Sequence, residues 1–105
     1  MEMVRAIIRP NLADKVVCAL EEAGFVSMTR SNVYGRGKQK GIKVGDVQYD
    51  ELPKTMLMLV VNERDTQRLI DTLMKSAGTG NLGDGKIFIS PVDAIYTIRT
   101  GESGL

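Results

Sequence analysis

Histidine is absent from this chain, and cysteine occurs once, at Cys18, in 105 residues. A His/Cys metal site and a Ser–His catalytic pair are therefore excluded. One cysteine cannot make an intramolecular disulfide, and its scarcity fits a reducing compartment. Excess charge is lacking too: Lys and Arg total 14, Asp and Glu 13, for a net charge of +1. That balance points to no broad nucleic-acid or membrane surface. Aromatic residues are few, two Phe and three Tyr, and no strand gathers them into an RNA-stacking platform. No apolar run approaches the ~20 residues that span a bilayer, and no charged leader precedes an apolar segment. A cytoplasmic protein is the expectation. The length suits one small core, so a single domain over residues 1–105 is expected.

What the chain does have is glycine in clusters. Four glycines fall in the window Gly78 to Gly85, the last three of them in Thr79-Gly80-Asn81-Leu82-Gly83-Asp84-Gly85-Lys86-Ile87-Phe88. Glycine allows positive φ and close approach to the main chain. Successive bare N–H groups can form a concavity for an anion, with a lysine at its edge. The segment reads as a phosphate-cradling loop, or as a plain turn between a helix and a strand. It is not a Walker loop, because the spacing to Lys86 is wrong and no Ser or Thr follows the lysine. A second cluster, Gly35-Arg36-Gly37-Lys38-Gln39-Lys40-Gly41, holds three glycines and three bases. It opens a polar, aperiodic stretch reaching Pro53. A loop of about 18 residues inside a small domain is usually functional.

The rest is periodic. Val4, Ala6 and Ile8 alternate with Arg5, Ile7 and Arg9, which predicts a strand ended by Pro10. Asn11 is a candidate helix cap, and Leu12, Val16, Ala19, Leu20 and Ala23 recur at helical spacing before Gly24. Cys18 reads as a buried or half-buried filler of that helix. A second strand is expected over Phe25–Tyr34. Residues 55–61, Thr-Met-Leu-Met-Leu-Val-Val, do not alternate, so both faces of that strand should be covered, one by helices and one by another subunit. Leu69, Ile70, Leu73, Met74 and Ala77 form a second helical stripe, entered through 62–65 and closed by Gly78, with the methionines as core filler. A last long strand is expected over Ile87–Ile98, with Pro91 at a bend or on an edge. The order is βαββαβ, an α+β ferredoxin-like arrangement.

These stretches together resemble the PII nitrogen-regulatory signal proteins. The match rests on Tyr34 to Gly41 at the root of the long loop (the T-loop, about 36–54), on Leu52-Pro53-Lys54 at its return, on Thr79 to Phe88 (the B-loop, about 79–86), and on Ile98-Arg99-Thr100-Gly101-Glu102 in the C-terminal segment (about 97–105). It spans essentially the whole chain. The resemblance implies a homotrimer with ATP or ADP in clefts between subunits, and a regulatory protein rather than an enzyme. Gly83, Asp84, Gly85 and Lys86 would hold the phosphates. Arg99 would reach in from the neighbouring subunit, and Gly35, Gly37, Lys38 and Gln39 would lie on the phosphate side. Ile7, Thr29 and Val60 would border the adenine. Mg²⁺ would bridge ATP, Gln39 and 2-oxoglutarate; Lys54 would pair with a carboxylate, helped by backbone at Lys40, Gly41 and Gly83. A dicarboxylate beside a triphosphate needs such cations to offset repulsion.

Two departures stand out. Thr97 occupies the first of two positions where the family usually has arginine. The long loop is shorter than in the common members, and Tyr49 does not sit in the context of the tyrosine they modify. A shortened loop resembles the nitrogenase-associated PII-like subgroup, which implies inhibition of dinitrogenase together with a PII-like paralogue, relieved by 2-oxoglutarate. The alternative is a PII regulator of an ammonium transporter or a nitrogen-assimilation enzyme. A phosphohydrolase using Arg99 or Lys86 is a weak rival, since no nucleophile sits beside a base.

Overall fold

Alternation makes the first strand. In a computed structural model, which describes residues 1–37, 42–49 and 51–105, β1 (Glu2–Ile8) turns Val4, Ala6 and Ile8 inward, all buried. It is followed by α1 (Ala13–Glu22), β2 (Thr29–Gly35), β3 (Ile42–Val44), β4 (Val47–Tyr49), β5 (Leu52–Val61), α2 (Glu63–Ala77) and β6 (Lys86–Pro91). The main sheet is antiparallel in the order β2-β5-β1-β6. With the β3–β4 hairpin set aside, this is the ferredoxin-like α+β topology expected from the sequence.

One sheet face packs on the two helices. Val4, Ala6 and Ile8 of β1 and Leu57 and Leu59 of β5 meet Val16 and Leu20 of α1 and Leu69 and Leu73 of α2. The opposite face carries Met3, Arg5 and Ile7 beside Met56, Met58 and Val60, with Lys86, Phe88 and Ser90 on the far strand. Among the described residues of one chain no second layer covers it. That is why β5 reads as a continuous apolar run: its inner residues are buried and its outer ones half-buried.

Several local expectations are corrected. The second strand begins at Thr29, not Phe25, because Phe25 belongs to the end of α1. The Gly24 N–H donates to Glu21 O (3.0 Å) and the Phe25 N–H to Leu20 O (2.8 Å), a Schellman closure that brings Phe25 into the core. Arg68 stacks over its ring at 4.3 Å. Asn11 does not cap α1; Pro10–Leu12 form a 3-10 turn that leads into the helix without a side-chain cap. Cys18 is exposed, not a filler, and Met74 of the second stripe is exposed as well.

The last strand stops at Pro91 rather than Ile98. Pro91 lies on the edge strand, where a missing N–H costs no ladder bond. Beyond it the chain makes its own turn, closed by Gly101 N–H to Thr97 O (2.7 Å) and Thr97 N–H to Glu102 O (2.9 Å). The long loop is not structureless. It contains β3 and β4, which pair Val44 with Val47 around Gly45-Asp46 and form a sheet of their own. Among the described residues no helix is long and apolar enough to cross a membrane.

Leu57 is fully buried at the centre of the sheet. Leu57→Ala should cost about 2–5 kcal/mol in urea unfolding, whereas Val47→Ala on the exposed hairpin should change stability by less than about 0.5 kcal/mol.

Candidate functional site

The glycine loop is seated on the C-terminal end of β1. Gly85 has φ +102°, and a Cβ there would overlap the Ile7 carbonyl oxygen. Only glycine lets the chain cross this point and pair Lys86 with Ile7 at the start of β6. Gly83 also has positive φ (+95°), in the turn Asn81–Asp84, where glycine relieves the steric cost.

Asp84 is the hub of the loop. Its carboxylate accepts the Thr79 N–H (2.8 Å), the Thr79 hydroxyl (2.5 Å), the Gly80 N–H (2.9 Å) and Arg9 Nε (3.0 Å). The Thr79 hydroxyl and then its backbone N–H, followed by Arg9 and the Gly80 N–H, hold the Asp84 carboxyl well below the ordinary carboxylate range; partial burial opposes them. Two cations grip the next carbonyls. Arg9 Nη2 donates to Leu82 O at 2.8 Å and Lys54 Nζ to Gly83 O at 2.5 Å. The Lys54 ammonium is pushed below its ordinary value by burial first and by Arg9 second, with Asp84 acting the other way. Arg9 and Lys54 stand beside the one carboxylate, and Lys86 follows at the loop's end. That carboxylate is already satisfied by hydrogen bonds, so the donor set fits an anion. An apolar cavity of about 330 Å³ adjoins the loop, between Leu73, Met74 and Ala77 of α2 and Gly85–Ile87.

The structure therefore gathers Ile7, Gly35, Lys54, Gly83, Asp84, Gly85 and Lys86 at one end of the sheet; Gly35 closes β2, where an added Cβ would lie 3.6 Å from the Lys54 stem. It does not bring Thr29, Val60 and Arg99 to them. Val60 pairs with Met3, four residues from Ile7 along β1 and so ~13 Å away. β6 runs from Lys86 opposite Ile7 to Pro91 opposite Glu2, which carries the segment with Thr97 and Arg99 to the far end. There Leu105 meets Phe25, Val60 and Val61 around a second cavity. Gly37 is exposed; Lys38, Gln39, Lys40 and Gly41 lie outside the described residues. Among the described residues no group of three or more acidic or Cys side chains could hold a metal.

Arg9 is the residue that sequence reasoning passed over. Its partners lie 73 and 75 positions away, so no local pattern marks it. One signal was present: Arg9 shares the outward parity of Ile7, two residues further on and just past the end of β1.

A small ferredoxin-like domain with a glycine loop braced by two basic side chains is the class that this geometry defines. The pattern of the family described as nitrogen regulatory protein P-II matches residues 1–102. The chain is 56% identical to the nitrogen fixation nifHD region glnB-like protein 1 of Methanococcus maripaludis and 55% identical to the nifHD1 region GlnB-like protein 1 of Methanosarcina barkeri, in both cases over the full length of both chains. It is 50% identical to the nitrogen regulatory protein P-II 2 of Methanothermobacter thermautotrophicus, covering 99% of this chain and 94% of that protein. The chain belongs to the P-II family, and the subgroup resemblance drawn from its shortened loop agrees with the nifHD-region names of these relatives.

Two predictions follow from the loop geometry. Gly85→Ala should lower stability by more than ~2 kcal/mol, against about 1 kcal/mol for Gly80→Ala, which has positive φ but open space around it; thermal unfolding of both isolates the clash. A carboxyl held low in the folded state contributes stability above its unfolded value, and this is lost as pH falls. Asp84→Asn should therefore be less stable than the parent at about pH 7. The gap should narrow below the ordinary aspartate value of about 3.8, as urea unfolding at about pH 3 would register.

Proposed function

We propose that this protein is a PII-type sensor of ATP or ADP and 2-oxoglutarate that regulates nitrogen fixation through its long loop. The observation that carries the reading is the bond from Lys54 to Gly83 O. Lys54 stands where the long loop rejoins the sheet, and Gly83 is in the anion loop, so one contact ties the two together. A ligand anion that engages Lys54 must compete with this bond, and its binding is thereby linked to the arrangement of residues 36–54. Such a ligand shifts the loop by its differential affinity for two arrangements.

The separation of the site residues supports a cleft between subunits. Ile7, Lys54 and Gly83–Lys86 lie at one end of the sheet; Val60 and the segment with Arg99 lie at the other. A head-to-tail ring brings unlike ends together, and the half-open sheet face gives it apolar surface to bury. The family resemblance makes that ring a homotrimer. In it, Gly83, Gly85 and Lys86 would hold phosphate beside Gly35, Gly37 and Lys38. Ile7 and, from the neighbour, Thr29 and Val60 would border the base. Arg99 would add charge where Thr97 adds none, and Asp84 would shape the loop rather than touch phosphate. Mg²⁺ would supply charge neutralisation between ATP and 2-oxoglutarate, with Gln39 as its protein ligand and Lys40, Gly41 and Lys54 around the 2-oxoacid.

The nifHD-region names of the relatives favour dinitrogenase as the target, reached together with a PII-like paralogue. Retention of dinitrogenase on the immobilised protein, reversed by 2-oxoglutarate with MgATP, supports that target. Retention of an ammonium channel instead would move the protein to transporter control.

Calorimetric titration tests the ligands. MgATP and 2-oxoglutarate should each strengthen the other's binding, and Gln39→Ala should abolish the 2-oxoglutarate response while leaving thermal unfolding unchanged. A normal response in that variant would remove the metal bridge from the scheme.

A further inference from the structure

We propose that Arg9 is a positioning residue of the glycine loop, one that sets the direction of its amides without being a point charge for the ligand. The inference rests on the reading of this loop as the nucleotide-phosphate site. It begins from two bonds made by one guanidinium: Nε to the Asp84 carboxylate at 3.0 Å and Nη2 to the Leu82 carbonyl at 2.8 Å. A guanidinium presents these donors in a fixed, planar fork, whereas an ammonium has no such fork. Holding both partners from one rigid group fixes the distance between Leu82 and Asp84, and so the pitch of the turn between them.

The consequence for the ligand side follows from peptide geometry. Among the described residues no peptide is cis, and in a trans peptide the C=O and the following N–H point in opposite directions. With the Leu82 carbonyl drawn to Arg9, the Gly83 N–H is turned away from it. With the Gly83 carbonyl drawn to Lys54, the Asp84 N–H is turned away from Lys54. The two basic side chains thus orient two successive amides through their carbonyl partners. Arg9 also acts through Asp84, which gathers the N–H groups of Thr79 and Gly80 at the loop's entrance. The carboxylate would oppose an anion nearby if left unpaired; bonded to Arg9 and Thr79 it serves as the loop's internal anchor.

The test uses the full-length protein with Arg9→Lys, Arg9→Met and Asp84→Asn. It combines ATP calorimetry with hydrogen exchange of the Thr79 and Gly80 amides measured without nucleotide. Positioning predicts that Arg9→Lys and Arg9→Met both weaken ATP by on the order of tenfold, since the lysine keeps the charge and loses the fork. All three variants should exchange Thr79 and Gly80 at least about tenfold faster, with β1 and β5 amides unchanged. If Arg9→Lys binds ATP as the parent does, or if affinity falls while Thr79 and Gly80 exchange at the parent rate, Arg9 acts as a charge and the proposal is overturned. Should the parent itself bind no ATP, the nucleotide reading fails, and the exchange rates still decide whether Arg9 holds the loop. If an Arg9 variant does not fold, Thr79→Val reports on the same anchor from its other side: faster Gly80 exchange and weaker ATP support the anchor, and parent-like values for both overturn it.

Discussion

The seating of Gly85 on the β1 backbone is the constraint from which the rest of the site follows. Any larger residue would collide with the Ile7 carbonyl. Because the chain passes there, Lys86 pairs with Ile7, and the register of β6 is fixed as far as Pro91 opposite Glu2. The same crossing places Asp84 beside Arg9 and Gly83 beside Lys54. One close approach therefore sets both the shape of the glycine loop and the end of the sheet at which the C-terminal segment emerges.

Charge at this site is organised in layers. Asp84 is spent inside the loop on Thr79, Gly80 and Arg9. Arg9 and Lys54 are spent on main-chain carbonyls. Each group is thus held in place by the loop itself, and the net excess of positive charge remains.

Much of the fold was legible because periodicity states it. The alternation in β1, the stripes in both helices and the unbroken apolar run of β5 each correspond to a face the structure buries or leaves open. Where reading failed, a local competitor won. Phe25 looks like a strand residue, but the closure of α1 at Gly24 claims it for the core. Asn11 looks like a cap, but Pro10 starts a 3-10 turn first. The hairpin was legible and missed: Ile42-Lys43-Val44 and Val47-Gln48-Tyr49 alternate on either side of Gly45-Asp46, a two-residue hairpin turn. Of the site, the glycine loop and Lys54 could be read from motif resemblance. Arg9 could not, since its meaning depends on residues more than seventy positions away, which only the register of β6 on β1 brings near.

The β3–β4 hairpin pairs three residues with three and joins no strand of the main sheet. Two strands alone gain little stability in water. The domain behind it has a packed core, while the hairpin's geometry rests on a few ladder bonds and a turn. With so few bonds of its own, the hairpin would owe more of its shape to any surface that pairs with it than to itself.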